Sequence, residues 1–427
     1  MRAFYRAFPL LLTAIATGCD QPAPTPGDTP PATNAASQKA PGKTTAPPKR
    51  ELPKLPPLTA DVARRVLASQ LDQLGGDDVS RQALLYMADL GDRSAVNAIH
   101  EKLLTLHEGA FEDVLAAAVG VEALLAYGEP GASAKALEVA KQYKAEEEDP
   151  DEYLVHMLAR VTGPERGAAV AELVAIAQGD DEDVASVAID ELAKLAAPEA
   201  NAAFLAVAAN PELEGHIRGA AAAGLLRLSD PKAKELTLKL FAGPGEADTF
   251  EGPEPEDVIE GLGVEGAVEA SPYIRNAVDS SLTEEGLGGV WEVPAAASAL
   301  ARIHRKGGGA ELVPWLRAIA QRDDAFHEDD AALALFAFGD DGSAALVAQG
   351  LEGSVAAGWA QPSQMETAVE ILDIAARRGV AARPPFDTIV SCAAQLDPKR
   401  GSDKGIDYNL RSLSLAAAHA YLKSIAK

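Results

Sequence analysis

Mostly apolar residues recur along the chain in one helical spacing, at intervals of about 30–42 residues. The offsets are 0, 3, 4, 7, 8 and 11, which place all six positions on one face of an α-helix. The clearest sets are Val79, Gln82, Ala83, Tyr86, Met87 and Leu90; Val114, Ala117, Ala118, Val121, Glu122 and Leu125; Val184, Val187, Ala188, Glu191, Leu192 and Leu195; and Ile217, Ala220, Ala221, Gly224, Leu225 and Leu228.

This spacing predicts an all-α chain. One such helix cannot bury its face alone, but helices stacked side by side can, which favours an α-solenoid of about ten helical hairpins over residues 59–427. Thr59 is a predicted N-cap, and Gly or Pro separates the predicted helices, as at Gly163-Pro164. The stretch Pro244–Pro255 is acidic and rich in Pro and Gly, which predicts a loop inserted between units. Strand-like alternation is nearly absent.

Composition and charge narrow the classes of partner. Aromatic residues make up only 5% of the 427, and the net charge is −26. Such a chain should not bind nucleic acid or an anionic membrane surface directly. Many acids stand where helices should begin, as in Asp77-Asp78, Glu112-Asp113 and Asp180–Asp183, where they can cap free N–H groups. A basic partner and adaptation to saline surroundings remain alternative explanations of the charge.

The first residues are typical of an export signal. Arg2 and Arg6 form a basic region, and Pro9–Ala16 is an apolar stretch too short to span a bilayer. The segment ends in Ala16-Thr17-Gly18-Cys19, which resembles the lipobox of bacterial lipoproteins. The resemblance implies cleavage after Gly18, so that residues 1–18 are a signal peptide, and lipidation of Cys19. Asp20 resembles the signal that retains enterobacterial lipoproteins in the inner membrane.

Residues 19–58 are predicted to form a disordered tether. They are rich in Pro, Ala and Thr and have no apolar period. Prolines favour an extended chain, so these residues could span on the order of 100 Å. The second cysteine, Cys392, has no intramolecular partner if Cys19 carries lipid, and the run around it predicts a buried helix position.

Two stretches resemble HEAT-like repeats of the short kind also seen in phycobilin lyases. They are DDVSRQALLYMADLGDRSAVNAI, with Asp78, Val79, Arg81, Ala83 and Leu90 in the matching places, and GHIRGAAAAGLLRLSDPKAKELTL, with Ile217, Arg218, Ala221, Leu225, Asp230 and Ala233. The resemblance implies an armadillo-type solenoid. It concerns the type of repeat and implies no lyase activity.

Candidate chemistry is sparse. His100 and His107 are seven residues apart and could share a helix face, but two ligands make a poor metal site without a third. The run Arg305–Gly309 lacks the Lys-Ser/Thr and strand context of a phosphate-binding loop, so a turn between helices explains it better. The acidic clusters Glu146–Asp149 and Asp323–Asp330 lack EF-hand spacing. We predict no catalytic, cofactor or metal-binding residues.

The functional hypothesis is a non-catalytic scaffold. Trp291, Trp315 and Trp359, with neighbouring phenylalanines, could anchor an interface or fill an alanine-rich core. A solenoid offers a broad binding surface, so we expect an envelope lipoprotein, held in the membrane by lipid at Cys19, that binds another envelope protein. The alternatives are binding of envelope glycan or small ligands and, third, an enzyme subunit.

Overall fold

A computed structural model describes most of the helical part of the chain. The described ranges are 59–107, 109–146, 150–179, 181–241, 254–281, 292–305, 308–320, 335–340, 343, 362–379 and 404–426. Every described residue belongs to one compact unit, Glu51–Lys427. The predictions for residues 1–58, including Cys19 and Asp20, therefore lie outside the described residues.

The described residues are mostly helical and include only two very short strands, so the prediction of an all-α chain is confirmed. The helices are α1 Ala60–Ala68, α2 Asp78–Asp89, α3 Ser94–Lys102, α4 Val114–Ala126, α5 Ala132–Ala145, α6 Glu152–Ala159, α7 Arg166–Ile176, α8 Glu182–Leu195, α9 Asn201–Ala209, α10 Gly215–Arg227, α11 Ala233–Phe241, α12 Pro255–Leu262, α13 Ser271–Ser281, α14 Glu292–Ile303, α15 Val313–Ala320, α16 Pro362–Arg378 and α17 Lys404–Ile425. Short 3-10 helices cover Ser69–Gln73, Gly163–Glu165, Pro198–Ala200, Val268–Ala270 and Ala310–Leu312.

One small hairpin interrupts the helices. Strands β1 (Leu106–His107) and β2 (Ala110–Phe111) pair antiparallel, with Leu106 opposite Phe111. Gly109 in the connecting turn has φ +88°, a left-handed conformation that favours glycine. Phe111 is buried, whereas Leu106 is exposed, so the hairpin contributes one side chain to the core.

Acidic side chains cap several helices, as the sequence predicts. Asp77 accepts a hydrogen bond from the Ser80 amide at 2.7 Å, and Asp113 accepts one from the Ala116 amide at 2.9 Å. Asp151 and Asp181 cap α6 and α8 in the same way. Thr59 caps α1 through Val62, which confirms that N-cap as well. These aspartates therefore accept hydrogen bonds from free backbone N–H groups at the helix N-termini, which accounts for part of the negative charge of the chain.

Alternate helices form a continuous series. Helix α2 packs against α4, α4 against α6, α6 against α8, α8 against α10, α10 against α12 and α12 against α14. The helices between them pack on the series from outside, as α5 does on α4 and α11 on α10. A single hydrophobic core runs through the series and includes residues of every helix from α1 to α12.

Helices α4 and α10 are buried on all sides. The run Ala116–Leu124 in α4 is buried without interruption, as is Gly219–Leu226 in α10. The repeated spacing predicted one buried face, which describes α2 and α8 better than these two helices. Because each has a neighbour of the series on both sides and a covering helix outside, small and apolar residues surround both helices, and Glu122 in α4 is the charged exception.

Helices α10 and α12 approach closely through glycine. A Cβ atom at Gly219 would lie 2.5 Å from the Val258 carbonyl oxygen, and one at Gly261 would overlap the His216 carbonyl group. Both glycines are therefore required by the packing of the two backbones.

The series closes on itself. The C-terminal helix α17 packs against α16 and also against α1 and α2 at the start of the unit. Lys423 on α17 donates to the Asp89 carbonyl oxygen at 3.3 Å. None of the helices in the described ranges is long and apolar enough to cross a membrane.

Candidate functional site

Charged and polar side chains of α2, α4, α6 and α8 meet in one cluster, which we call the polar strip. Its members are Asp78, Arg81, Glu122, Tyr153, His156, Arg160, Asp190, Glu191 and Lys194. Each member has a hydrogen bond or ion pair to another member. The strip therefore connects four consecutive helices of the series by side-chain contacts.

Glu122 is the buried centre of the strip. Arg81 donates from Nε to Oε2 at 2.6 Å and from Nη2 to Oε1 at 2.9 Å, and Arg160 donates from Nε to Oε1 at 2.8 Å. Only 1% of the Glu122 side chain is exposed. Burial alone would raise the pKa of this carboxyl, but the charges of Arg81 and Arg160 outweigh it and the pKa is lowered. Glu122 is thus held ionised between two arginines.

A second carboxylate, Glu191, orients a histidine. His156 Nδ1 lies 3.1 Å from Glu191 Oε1, and Lys194 Nζ lies 2.8 Å from the same oxygen. Lys194 also pairs with Asp190 at 2.8 Å. Burial opposes ionisation of Glu191, but Lys194 and His156 outweigh it and lower the pKa. The carboxylate therefore fixes the position of the imidazole ring.

Water reaches the strip even though protein surrounds it. The exposed fractions are 43% for the Arg160 side chain, 31% for Lys194 and 18% for His156. Burial is nevertheless the largest single influence on the pKa of Lys194; it acts to lower this pKa, and the pairing with Asp190 and Glu191 raises it overall. Lys194 is therefore partly accessible to water while its ammonium group is largely surrounded by protein.

The strip also connects helices that are not neighbours in the series. The Tyr153 hydroxyl on α6 is hydrogen-bonded to Asp78 on α2, and burial followed by the Asp78 charge raises the pKa of Tyr153. Arg81 interacts electrostatically with Glu191 on α8. Helices α2, α6 and α8 therefore face one another across the buried helix α4.

A second polar cluster, which we call the seam, closes the series. The Tyr86 hydroxyl donates to Asp373 Oδ1 at 2.6 Å, and the Tyr86 ring stacks on His419 with 4.2 Å between centroids. His419 Nε2 lies 2.7 Å from Asp89 Oδ2, and Lys423 Nζ lies 3.0 Å from the same atom. Burial and then the Asp373 charge raise the pKa of Tyr86 well above its ordinary value, so the phenol stays neutral.

Two further contacts extend the seam. Arg305, just beyond α14, places Nη2 3.4 Å from Asp373 Oδ2, which brings the end of the series to α16. Ser412 on α17 donates to Gln82 on α2 at 2.7 Å. The seam therefore includes helices from both ends of the folded unit.

His100 and His107, seven residues apart, are not on one helix. His100 lies in α3, whereas His107 lies in β1, where it pairs with Ala110. The helix ends at Lys102, so the spacing brings no shared helix face, and both residues are exposed. Within the described ranges, no three His, Cys, Asp or Glu side chains are arranged to hold a metal ion.

The glycine-rich run after α14 is used for packing. Gly308 and Gly309 have φ +99° and +75°, and a Cβ atom at Gly309 would lie 2.6 Å from the Phe338 ring. Phe338 makes an edge contact with His304, and His304 is hydrogen-bonded to Ser271 at 3.1 Å. Aromatic carbon therefore occupies the place that a phosphate cradle would need, which favours the predicted turn between helices.

The aromatic residues and acidic clusters are only partly described. Trp315 donates to Asp279 Oδ1 at 2.8 Å and is half-buried against the core, as a core-filling residue would be. Phe336 and Phe338 are buried in the core. Trp291, Trp359, Phe326, Cys392, residues 147–149, 323–330 and most of the predicted loop Pro244–Pro255 lie outside the described residues.

The sequence contained a signal for the polar strip. Glu122 and Glu191 occupy positions of the repeated spacing whose other occupants are mostly apolar. An acid at such a position is buried, and a buried acid needs a cationic partner. The repeated spacing accounts for the helices, and these two acids are the exceptions in it that indicate the polar strip.

In comparisons with known proteins, the chain matches no family model, no curated protein and no solved structure.

Proposed function

We propose that the protein is a lipid-anchored envelope lipoprotein whose helical body serves as a non-catalytic scaffold for another envelope protein. The lipobox resemblance at Ala16–Cys19 supports the anchor, and the Pro-rich residues 19–58 supply a tether. Asp20 weakly favours the inner membrane. The net charge of −26 argues against direct binding of nucleic acid.

The proposal includes a body built from about ten HEAT-like repeats. The alternating helix contacts support this, as does a capping contact that recurs between successive members of the series. Arg227 on α10 donates to the Ala193 carbonyl at the end of α8 at 2.6 Å, and Arg302 on α14 donates to the Glu260 carbonyl on α12 at 2.8 Å. Repeats that stack in a constant geometry reuse such contacts at their helix ends.

The observation that carries the binding proposal is the accessible polar strip. Side chains of both charges lie together in the strip, and water reaches three of its basic members, Arg160, Lys194 and His156. Mixed charges held in fixed positions favour recognition of a protein surface with complementary charges over nonspecific attraction. The overall acidity adds a preference for a partner with a basic face.

Site-specific photocrosslinking in cells tests this proposal. Val187 lies one turn before Glu191 and Leu85 one turn after Arg81, so both positions border the strip. A photoreactive residue at either position should capture one recurrent envelope protein, whereas the same residue at the exposed Leu238 on α11 should not. Equal capture at all three positions, or no capture from the strip, would refute the scaffold proposal.

The anchor has a separate test. Cys19→Ser removes the sulfur that would carry lipid, so the variant should leave the membrane fraction and appear in the soluble fraction. Ser37→Ala in the predicted tether is the matched control and should remain with the membrane. Retention of the Cys19→Ser variant would show that the anchor assignment is wrong.

A further inference from the structure

We propose that Arg160 and His156 form an oxyanion-binding site within the polar strip, for the carboxylate or phosphate group of a small molecule. This site would be additional to the protein-binding scaffold and does not depend on it. His156 lies on α6, and Arg160, four positions later, is the C-cap residue that follows the helix with a helical backbone conformation, so the two side chains project on the same side. Each has one nitrogen held by a carboxylate of the strip, Arg160 by Glu122 and His156 by Glu191.

Arg160 has unused donors. Its Nε donates to Glu122 Oε1 at 2.8 Å, which fixes one edge of the guanidinium. The two terminal nitrogens have no partner among the described residues, and 43% of the side chain is exposed. Terminal guanidinium nitrogens form the planar fork that binds carboxylate or phosphate through two parallel hydrogen bonds. The residue is therefore held in place at Nε and open at its binding edge.

His156 supplies an oriented second group. Nδ1 is occupied by Glu191 at 3.1 Å, whereas Nε2 has no partner within the described part of the chain. In its doubly protonated form the ring donates to Glu191 through Nδ1 and can donate to a ligand through Nε2. A carboxylate behind a histidine fixes the orientation of the ring.

The nearby carboxylates do not prevent anion binding, because each is already engaged. Glu122 receives three hydrogen bonds from Arg81 and Arg160, and Glu191 is paired with Lys194. Lys194 is shared by the carboxylates Asp190 and Glu191, and Asp78 is hydrogen-bonded to the Tyr153 hydroxyl. At Glu122, by contrast, two permanent cations, Arg81 and Arg160, face one carboxylate. One positive charge is therefore left beside the open edge of Arg160, where an oxyanion would bind.

Titration of the full-length protein with inorganic phosphate and with succinate tests the site, by calorimetry and by NMR of the histidine ring signals. The wild type should bind one anion per chain in a saturable manner, with a shift of the His156 ring signals. Arg160→Gln should weaken binding at least tenfold. Arg166→Gln removes the same charge from an exposed arginine on α7 and should change affinity less than twofold.

Each result decides the proposal. The tighter of the two probes identifies phosphate or carboxylate as the preferred group. Weak, unsaturated binding that is equal in all three proteins would mean an adventitious ion only and would overturn the site. Binding without a shift of the His156 signals would also overturn it. If Arg160→Gln melts at a much lower temperature, Arg160→Lys replaces it, because lysine keeps the charge and lacks the fork; undiminished binding by that variant would overturn the proposal.

Discussion

The two sides of α2 show two ways of joining helices through polar groups. On one side, Arg81 binds Glu122, which is 41 positions away and belongs to the next helix of the series. On the other side, Tyr86 binds Asp373, which is 287 positions away and belongs to α16. The first contact is the centre of the polar strip, and the second is the centre of the seam.

The chemistry of the two sides differs as much as the sequence separation. The strip holds a buried carboxylate, Glu122, that is paired with two partly exposed guanidinium groups. The seam relies on a neutral phenol donor and a stacked histidine, and its Asp89 is half-exposed. Removing one member of a buried ion pair strands a charge, whereas removing a neutral donor strands less. The strip should therefore tolerate substitution less well than the seam.

Glu122→Gln should give the largest loss of stability. The substitution leaves Arg81 buried without its carboxylate, and breaking a buried ion pair in this way costs about 3–5 kcal/mol. Because Arg160 is partly exposed and can recover water, a value near the lower end, about 3 kcal/mol, is expected. Urea unfolding monitored by circular dichroism measures the change.

Two further variants sharpen this prediction. Glu112→Gln removes an exposed acid just before α4 and should change the free energy of unfolding by no more than about 0.5 kcal/mol. Arg81→Met combined with Glu122→Leu should recover much of the loss, since no buried charge is then stranded. A single Glu122→Gln variant as stable as Glu112→Gln would remove the distinction between strip and seam.

Tyr86→Phe should weaken the seam by a smaller amount. The ring and its stacking on His419 are retained, but Asp373 loses the hydroxyl that donates to it at 2.6 Å. A hydrogen bond to a charged group contributes about 1.5–3 kcal/mol, so a loss of about 2 kcal/mol is expected. Amide hydrogen exchange should accelerate in α16 and α17 more than in α4 and α6, because the seam opens first.

The control for the seam is on the same C-terminal helix. Tyr421→Phe removes a hydroxyl for which the described residues offer no partner, and it should leave both stability and exchange unchanged. Uniform acceleration across all helices in Tyr86→Phe would contradict local opening at the seam.

The sequence contains a signal for the strip but none for the seam. The repeated spacing predicts α2, α4, α8 and α10 and most of their buried residues, and it contains Glu122 and Glu191 as polar exceptions. Their partners lie one helix of the series away, so the repeat itself limits the search. By contrast, nothing local to Tyr86 indicates Asp373, since that contact exists only because the series closes.

Two local patterns in the sequence were overridden for the same reason. The spacing of His100 and His107 would allow one helix face, but the helix ends at Lys102 and His107 lies in a hairpin whose Phe111 backbone is hydrogen-bonded to Gln142. The one-sided face predicted for α10 failed because neighbours cover it completely. In both cases tertiary contacts overrode a local pattern.

The smallest expected effect is the pH dependence that Asp89 gives to the seam. The hydrogen bond from His419 is the largest cause that lowers the pKa of Asp89, from 3.8 to about 2. A folded-state pKa below the unfolded value stabilises the protein above pH 4, and this contribution disappears as the pH falls from about 4 through 2. Because Asp89 is half-exposed, solvent screening limits the effect to about 1 kcal/mol or less.

Urea unfolding at pH 6, 4 and 3 should therefore show a smaller acid-induced loss of stability in Asp89→Asn than in the wild type. Identical losses in the two proteins would assign the acid sensitivity to the strip, where Glu122 and Glu191 are also held ionised by their partners.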